Sequence, residues 1–314
     1  MSNSGRVIVT GGKGFIGSRL IEHLITLGYP DIVSIDNESV PHPRTIPSGV
    51  TYIKADINDT DLIEPLFATP TAVVFHLAAL ISVAESMEKP DEYNHVNIEG
   101  TRSIVSLCEK YKVPKLVFAS SCAVYGGSSK HSFNEESPTF PDTIYAKSKL
   151  EGEQLCLGLS PGIGIVARLS NVFGLHQDPE RPYPGCIAAY VHAIKTGNPL
   201  EIHGSGDQHR DFVCVQDVVT ALVELSQECS QSDIYNISRG SSISIRDLAR
   251  LFQHTIVNKP SRPGAEHVRV QSKKIADLLK HPIERDDIRT QIQEELNIGF
   301  LLNDYTTRYL MWYA

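Results

Sequence analysis

The sequence predicts an α/β protein, with a doubly wound parallel sheet followed by a smaller C-terminal α/β lobe. Three observations carry this. Short, nearly continuous Val/Ile runs recur through the first half of the chain, segments of helical periodicity separate them, and a glycine-rich turn joins the first run to the first helical segment. Strand, helix and strand in repetition make βαβ units, whose crossovers build a parallel sheet. Strands buried on both faces of such a sheet read as unbroken apolar runs rather than alternating ones.

The first strand is expected at Arg6–Thr10. Ile16, Leu20, Leu24 and Leu27 then recur at helical spacing, with Gly28 where a C-terminal cap belongs. Further strands are expected at Ile32–Asp36, Thr51–Ala55, Ala72–Ala78, Lys115–Ser120 and Ile163–Leu169, with helices near Asp91–Lys110 and Ala146–Gly158. The character changes after about Gly174. His176–Gly185 is a loop rich in Pro, Asp and Arg, followed by helical patterns at Cys186–Thr196, Asp217–Glu228 and Ile245–Gln253 and a short strand at Asp233–Ile237. The expected division is residues 1–174 for the sheet domain, with 210–235 returning to it, and 175–209 with 236–314 for the smaller lobe. Such a lobe would close over the carboxyl ends of the strands, where open α/β sheets bind ligands. The segment after about Lys280 carries no motif.

The chain has 314 residues, long enough to bury a large core without disulfides or metals. Its net charge of −8 argues against a nucleic-acid binder, which needs clustered Lys and Arg. Six cysteines are scattered without a CxxC or Cys/His cluster, the usage of a reducing compartment, and no metal site is expected. The N-terminus lacks a basic and apolar leader, and no apolar run is long enough to span a membrane, so a cytoplasmic location is expected.

Chemistry enters with Val9-Thr10-Gly11-Gly12-Lys13-Gly14-Phe15-Ile16-Gly17. Gly11, Gly14 and Gly17 stand where a strand meets a helix. Glycine there permits the tight turn, the approach of backbone to a pyrophosphate and close helix–strand packing, while the helix N-terminus offers N–H groups to the anion. Asp36 ends the next strand, and a carboxylate at that place accepts from a ribose diol and repels a 2′-phosphate. The combination predicts a Rossmann-type sheet that takes NAD in preference to NADP. Asp56-Ile57, after the third strand, fits either an acid near the adenine edge or a solvated loop.

Tyr145 and Lys149 are four residues apart and share one face of a helix. A phenol is a poor base at neutral pH, and a neighbouring ammonium and a cationic nicotinamide ring both favour its phenolate. The same spacing also suits a surface pair. Ser120 and Ser121 end the fifth strand, where a hydroxyl can either share a substrate oxygen with Tyr145 or satisfy loose backbone groups.

These motifs occur in a recognisable order. The glycine pattern, Asp36, His76-Leu77-Ala78-Ala79, Asn97 with Gly100-Thr101, Ser120–Gly126 and Tyr145xxxLys149 resemble an extended short-chain dehydrogenase/reductase. Arg168–Gly174, Gly204–Asp207, Arg210-Asp211-Phe212, Asp217-Val218 and Arg262-Pro263-Gly264 are similar to its nucleotide-sugar epimerase/dehydratase branch. The resemblance covers about residues 6–280. It implies NAD held by Gly11, Gly14, Phe15, Ile16, Gly17, Asp36, Asn37, Asp56, Ile57, Leu77, Ala78, Ala79, Asn97, Tyr145 and Lys149. Tyr145 is implied as the base, Lys149 as its electrostatic partner, and Ser121, with Ser120 as the neighbouring alternative, as the hydroxyl helper. Ser82, Ser121, Cys122, Tyr145, Asn171, Arg210 and Arg262 are implied around a nucleotide sugar, with Ser82 and its neighbour Ser86 equally suited to capping a helix.

Dehydratases of this branch resemble one another in an Asp-Glu pair after the fifth strand, and decarboxylases in a Glu there. This chain has Ser121-Cys122-Ala123. The expectation is therefore a nucleotide-sugar 4-epimerase acting on a UDP-hexose, UDP-glucose/UDP-galactose or the N-acetyl forms, through C4 oxidation, rotation of the 4-keto sugar and re-reduction. The alternative is a net nucleotide-sugar reductase or dehydrogenase. A non-catalytic NAD-binding protein is disfavoured because Tyr145 and Lys149 are both present. The resemblance also implies a homodimer packed through the helices near Asp91–Lys110 and Ala146–Gly158.

Overall fold

A computed structural model describes residues 5–39, 46–127, 132–175, 177–179, 184–261, 269–280, 283 and 288–296. The first half is laid down as β1 (Arg6–Thr10), α1 (Phe15–Thr26), β2 (Asp31–Asp36), β3 (Val50–Lys54), α2 (Thr60–Phe67) and β4 (Thr71–His76). Next come α3 (Val83–Glu88), α4 (Pro90–Tyr93), a π-helical turn at Asn94–Glu99, α5 (Gly100–Lys110) and β5 (Lys115–Ser121). A 3₁₀ turn at Cys122–Tyr125 leads on to α6 (Ile144–Leu157) and β6 (Ile163–Leu169). The second half comprises β7 (Asn171–Phe173), α7 (Cys186–Lys195), β8 (Leu200–His203), β9 (His209–Cys214), α8 (Val215–Glu228) and β10 (Asp233–Ile237). It closes with β11 (Ser242–Ser244), α9 (Ile245–Leu251), β12 (Ile256–Lys259), α10 (Lys273–Ala276) and α11 (Ile288–Leu296).

Seven strands form one parallel sheet in the order β10-β6-β5-β4-β1-β2-β3. Alternate residues of each strand feed opposite layers, as the pleat requires. Val7 and Val9 of β1 face Leu20 and Leu24 of α1 and Val218 and Leu222 of α8. Ile8 faces the other way, with Ile63 and Phe67 of α2, Ile104 and Cys108 of α5 and Cys156 of α6. This is the doubly wound sheet with helices on both faces. The strand order reverses between β1 and β4, so the carboxyl ends of these two strands flank the crevice where such sheets take ligands.

The smaller lobe has its own core of Phe173, Ile187, Tyr190, Leu200, Ile202, Phe212, Leu248 and Phe252. Two small sheets frame it, β11-β9-β7 and β12-β8. β9 pairs with β7 and β11 while its Val213 packs in the core of the large sheet, and the chain runs on through α8 into β10, which pairs with β6. The segment expected as one helix over Asp91–Lys110 is α4, the π-helical turn and α5 in series. Among the described residues no helix is long and apolar enough to cross a membrane, and all six cysteines are free thiols.

One polar cluster lies inside this apolar frame. Arg168 on β6 donates from Nε to Glu153 Oε1 at 2.9 Å and from Nη2 to Oε2 at 2.6 Å, and both side chains are buried. Ser120 on β5 donates to the same carboxylate. The guanidinium also lies 4.8 Å from the Tyr125 ring centroid, and the Tyr125 hydroxyl donates to Asn236 Oδ1 at 2.7 Å. Removing one partner of a buried pair leaves an uncompensated charge, whereas removing both is far milder. Arg168→Met is therefore expected to cost about 3–5 kcal/mol. Arg168→Met combined with Glu153→Leu should recover most of that, as read from urea midpoints at equal m-value.

Candidate active site

The glycine-rich turn closes against the end of β4. Gly11 has φ of +70°, and a Cβ there would lie 2.8 Å from Ala78 N and 3.0 Å from Leu77 C. A Cβ at Gly17 would fall 2.1 Å from Gly11 O, so the first turn of α1 packs directly on the loop. Gly14 is the N-cap of α1 and gives it no side-chain cap, and no acidic residue stands in the first turn. The N–H groups of Phe15, Ile16 and Gly17 belong to that uncapped turn, the arrangement that binds a phosphate. The uncapped helix end fits a dinucleotide's pyrophosphate, and Gly11 and Gly17 let the turn close tightly on the end of β4 and on α1.

The remaining residues expected around the dinucleotide fall along the same edge. Asp36 ends β2, and its carboxylate accepts from Lys13 N at 3.0 Å and Glu38 N at 2.8 Å. Asp56 accepts from Asn37 Nδ2 at 2.8 Å and from Asn58 N at 2.9 Å, and these bonds lower its pKa although burial opposes them as the largest single effect. Ile57 is buried under Gly100. Leu77 N and Ala78 N each donate to Thr10 Oγ1 at 3.2 Å, fixing the β4 exit to β1, and Ala79 follows in the same loop. Asn97 is buried, and its amide is engaged by the protein: Oδ1 accepts from Leu80 N at 2.9 Å, and Nδ2 donates to Leu80 O and Ser148 Oγ, each at 3.0 Å. It braces the loop after β4 against α6.

The catalytic candidates meet at the end of β5. Thr143 caps α6, accepting from Ala146 N at 3.2 Å, which puts Tyr145 in the first turn. Lys149 follows one turn on, its Nζ 6.0 Å from the Tyr145 ring centroid and donating to Ala119 O at 2.8 Å. Burial holds the Lys149 pKa down to about 8, opposed by Glu153. Burial also raises the Tyr145 phenol, and a hydrogen bond with Ser121 lowers it in part. The two serines are thereby told apart. Ser121 joins Tyr145, while Ser120 points to the other face and is held by Glu153. His76 lies next to this group as a neutral ring. It bridges Thr10 at 2.7 Å and Thr101 at 3.0 Å, with its pKa lowered to about 3 by burial and then by Lys149.

The expected sugar-side residues divide. Cys122 is buried, donates to Arg168 O at 3.4 Å, and has its thiol pushed well up by burial, so it offers no acid or base. Asn171 on β7 donates to Asp211 O at 3.0 Å. Arg210 on β9 donates to His209 O at 2.9 Å and is half-buried, its pKa lowered by burial. Ser82 serves as the N-cap of α3, accepting from Glu85 N at 3.1 Å, and Ser86 is buried and donates to Val83 O at 2.7 Å. Arg262 lies outside the described residues. Sequence reasoning overlooked Glu153. Its signal was its spacing: Tyr145, Lys149 and Glu153 succeed one another every four residues on α6.

The family model for the NAD dependent epimerase/dehydratase family matches residues 7–238. The chain belongs to this family. Within the NAD-dependent epimerase/dehydratase family it is 36% identical over 256 residues to a putative UDP-glucose 4-epimerase of Methanocaldococcus jannaschii, covering 80% of this chain and 82% of that one. It is 35% identical over 257 residues to the human dTDP-D-glucose 4,6-dehydratase, covering 78% and 72%. The fold matches a UDP-glucose 4-epimerase of Thermus thermophilus in complex with NAD, with a TM-score of 0.83 and 28% identity over 93% of this chain and 99% of that one. The cofactor is NAD, as in the family.

The burial of Lys149 gives a test of stability. At pH 7 the folded chain keeps a buried ammonium that the unfolded chain exposes to water. Between about pH 8 and 10.5 the unfolded state binds a proton that the folded state does not, so stability rises with pH across that window. The interval corresponds to roughly 3 kcal/mol. Lys149→Met is expected to raise the unfolding free energy at pH 7 by up to that amount, a gain that shrinks towards pH 10.5, as measured by urea denaturation at both ends of the window.

Proposed function

We propose that the chain is a nucleotide-sugar 4-epimerase acting on a UDP-hexose. The observation that carries this reading is Ser121, Tyr145 and Lys149 gathered at the end of β5 with a buried, un-ionised Cys122 beside them. Such a set can move one proton at one carbinol. Cys122-Ala123, directly after β5, supplies no carboxylate to remove the C5 proton and expel the C6 hydroxyl, as 4,6-dehydration requires.

NAD, when bound, supplies the hydride acceptor and donor for C4 of the sugar. Tyr145 receives the C4 hydroxyl proton at its phenolic oxygen and later returns it. Ser121 donates a hydrogen bond to the same oxygen, favouring the phenolate. Lys149 supplies a positive charge one helical turn away. Asn171, Arg210 and Arg262 are the proposed holders of the nucleotide diphosphate, a task to which guanidinium donors are suited. A grip remote from the reacting carbon lets the 4-keto sugar turn between the two half-reactions without leaving. The relative from M. jannaschii and the T. thermophilus structure, both named as UDP-glucose 4-epimerases, support the substrate class.

The human dehydratase relative defines a second reading, 4,6-dehydration. Ser121-Cys122-Ala123 weighs against it, because elimination across C5 and C6 needs groups that exchange protons at neutral pH. A net reductase would share the Ser/Tyr/Lys set and would consume NADH.

Incubation with UDP-glucose and with UDP-N-acetylglucosamine, no cofactor added, separates these readings by NMR of the products. A 4-epimer formed without NADH is expected. A 4-keto-6-deoxy sugar, or turnover only with stoichiometric NADH, would reject the epimerase reading. Tyr145→Phe is expected to lower kcat by roughly 10²–10⁴-fold with the unfolding midpoint nearly unchanged.

A further inference from the structure

We propose that Glu38 is a cofactor-selectivity residue, holding down two lysines, Lys13 and Lys54, that would otherwise form a phosphate site beside Asp36. Lys13 lies in the glycine-rich turn immediately before Gly14, and its ammonium is bonded to the Glu38 carboxylate. Lys54 ends β3 and reaches the other oxygen of Glu38 at 2.8 Å. Lys13 also lies 5.3 Å from the centroid of the Tyr52 ring, whose hydroxyl donates to Asp36 O at 3.3 Å. Three elements thus converge at the carboxyl end of β2: the turn before α1, the exit from β2 and the end of β3.

The backbone shows that this arrangement is imposed. Glu38 has φ of +56°, the left-handed region that side-chain-bearing residues seldom adopt. Asp36 Oδ1 holds the Glu38 N–H at 2.8 Å, and that bend turns the Glu38 side chain back over the turn. Glu38 is only about a quarter exposed, and the two ammonium groups keep its carboxyl down at about 2, so it is ionised throughout the working range.

The charges then decide the ligand. Lys13 and Lys54 are balanced by Asp36 and Glu38, leaving a neutral cluster beside a ribose acceptor. A ribose diol is an uncharged donor and suits it. A 2′-phosphate carries about −1.5 to −2 charges and meets two carboxylates while both ammonium groups are already paired. With the charge at Glu38 removed, two ammonium groups face one carboxylate, and a phosphate gains both as partners. This selectivity rests on the dinucleotide cleft and is independent of the 4-epimerase reading.

Nucleotide binding, without turnover, tests it. The full chain and its variants are titrated with NADH and with NADPH by nicotinamide fluorescence. Glu38→Gln is expected to lower the ratio of the NADPH Kd to the NADH Kd at least tenfold, chiefly through tighter NADPH binding. Lys13→Met and Lys54→Met added to that variant should return the ratio to its starting value. Glu38→Ser is expected to behave like Glu38→Gln and replaces it if the glutamine variant does not fold. An unchanged ratio, a lowered ratio that survives loss of both lysines, or loss of both nucleotides from a folded variant overturns the proposal.

Discussion

The Glu153 carboxylate ties α6, β5 and β6 together inside the protein, and the geometry of the catalytic candidates depends on that tie. Arg168 grips both of its oxygens and Ser120 donates a third bond. A carboxylate buried this deeply is tolerable only with its lone pairs occupied and an opposite charge in contact. Satisfied in this way, it fixes the rotation of α6 about its own axis. Tyr145 and Lys149 lie on the same face as Glu153, so the anchor that pairs with Arg168 also sets where the phenol and the ammonium point. Tyr125 and Asn236 carry the network on to β10, the far edge strand of the large sheet.

The same low-polarity setting explains the ionisation of the group. Burial favours the neutral forms of Tyr145, Lys149 and His76 together, raising the first and lowering the other two. His76, bonded between two threonines, is a neutral spacer at the shared end of β1 and β4. Lys149 keeps its charge at neutral pH through Glu153 and the Ala119 carbonyl. The Tyr145 phenolate is left to be favoured by what enters the cleft. An oxidised nicotinamide is cationic, and its charge acts in the same sense as Ser121 and Lys149. On the proposed reading of Tyr145 as the base, the cationic nicotinamide would complete its activation.

How much of this could be read from the sequence follows from how local each signal is. The strands of the large sheet are legible because two-sided burial demands continuous apolar runs, and the glycine row because no other residue fits between Gly11 O and α1. The short strands β7, β8, β9, β11 and β12 escape notice because Asn171, Glu201, Arg210 and Asn258 interrupt the pattern that longer buried strands show. Ser82 reads equally well as a ligand or a cap, and the position of Glu85 N shows that it caps α3. Ser120 and Ser121 are indistinguishable by composition. The pleat sends one to Glu153 and the other to Tyr145, and a shift of one residue would exchange them. The pairing of Glu38 with Lys13 and Lys54 joins three segments of the chain and has no local signature at all.

A chain with net charge −8 that takes two anionic ligands must select them by something other than its overall field. The described cations around the cleft are largely engaged by the protein itself. Lys13 and Lys54 are held by Glu38, Lys149 by Ala119 O, and Arg210 donates to the backbone of its own strand. A tethered ammonium gives a passing phosphate little, because binding it means breaking an existing bond. Donors without a side-chain cap remain at the N-terminus of α1, where glycine lets the turn pack closely on the end of β4. For the dinucleotide, the directed N–H groups of that turn suit a pyrophosphate by shape, and on the role proposed for Glu38 the paired charges beside Asp36 disfavour a 2′-phosphate. Discrimination of this kind survives physiological salt, since short, half-buried contacts are screened far less than a long-range surface potential.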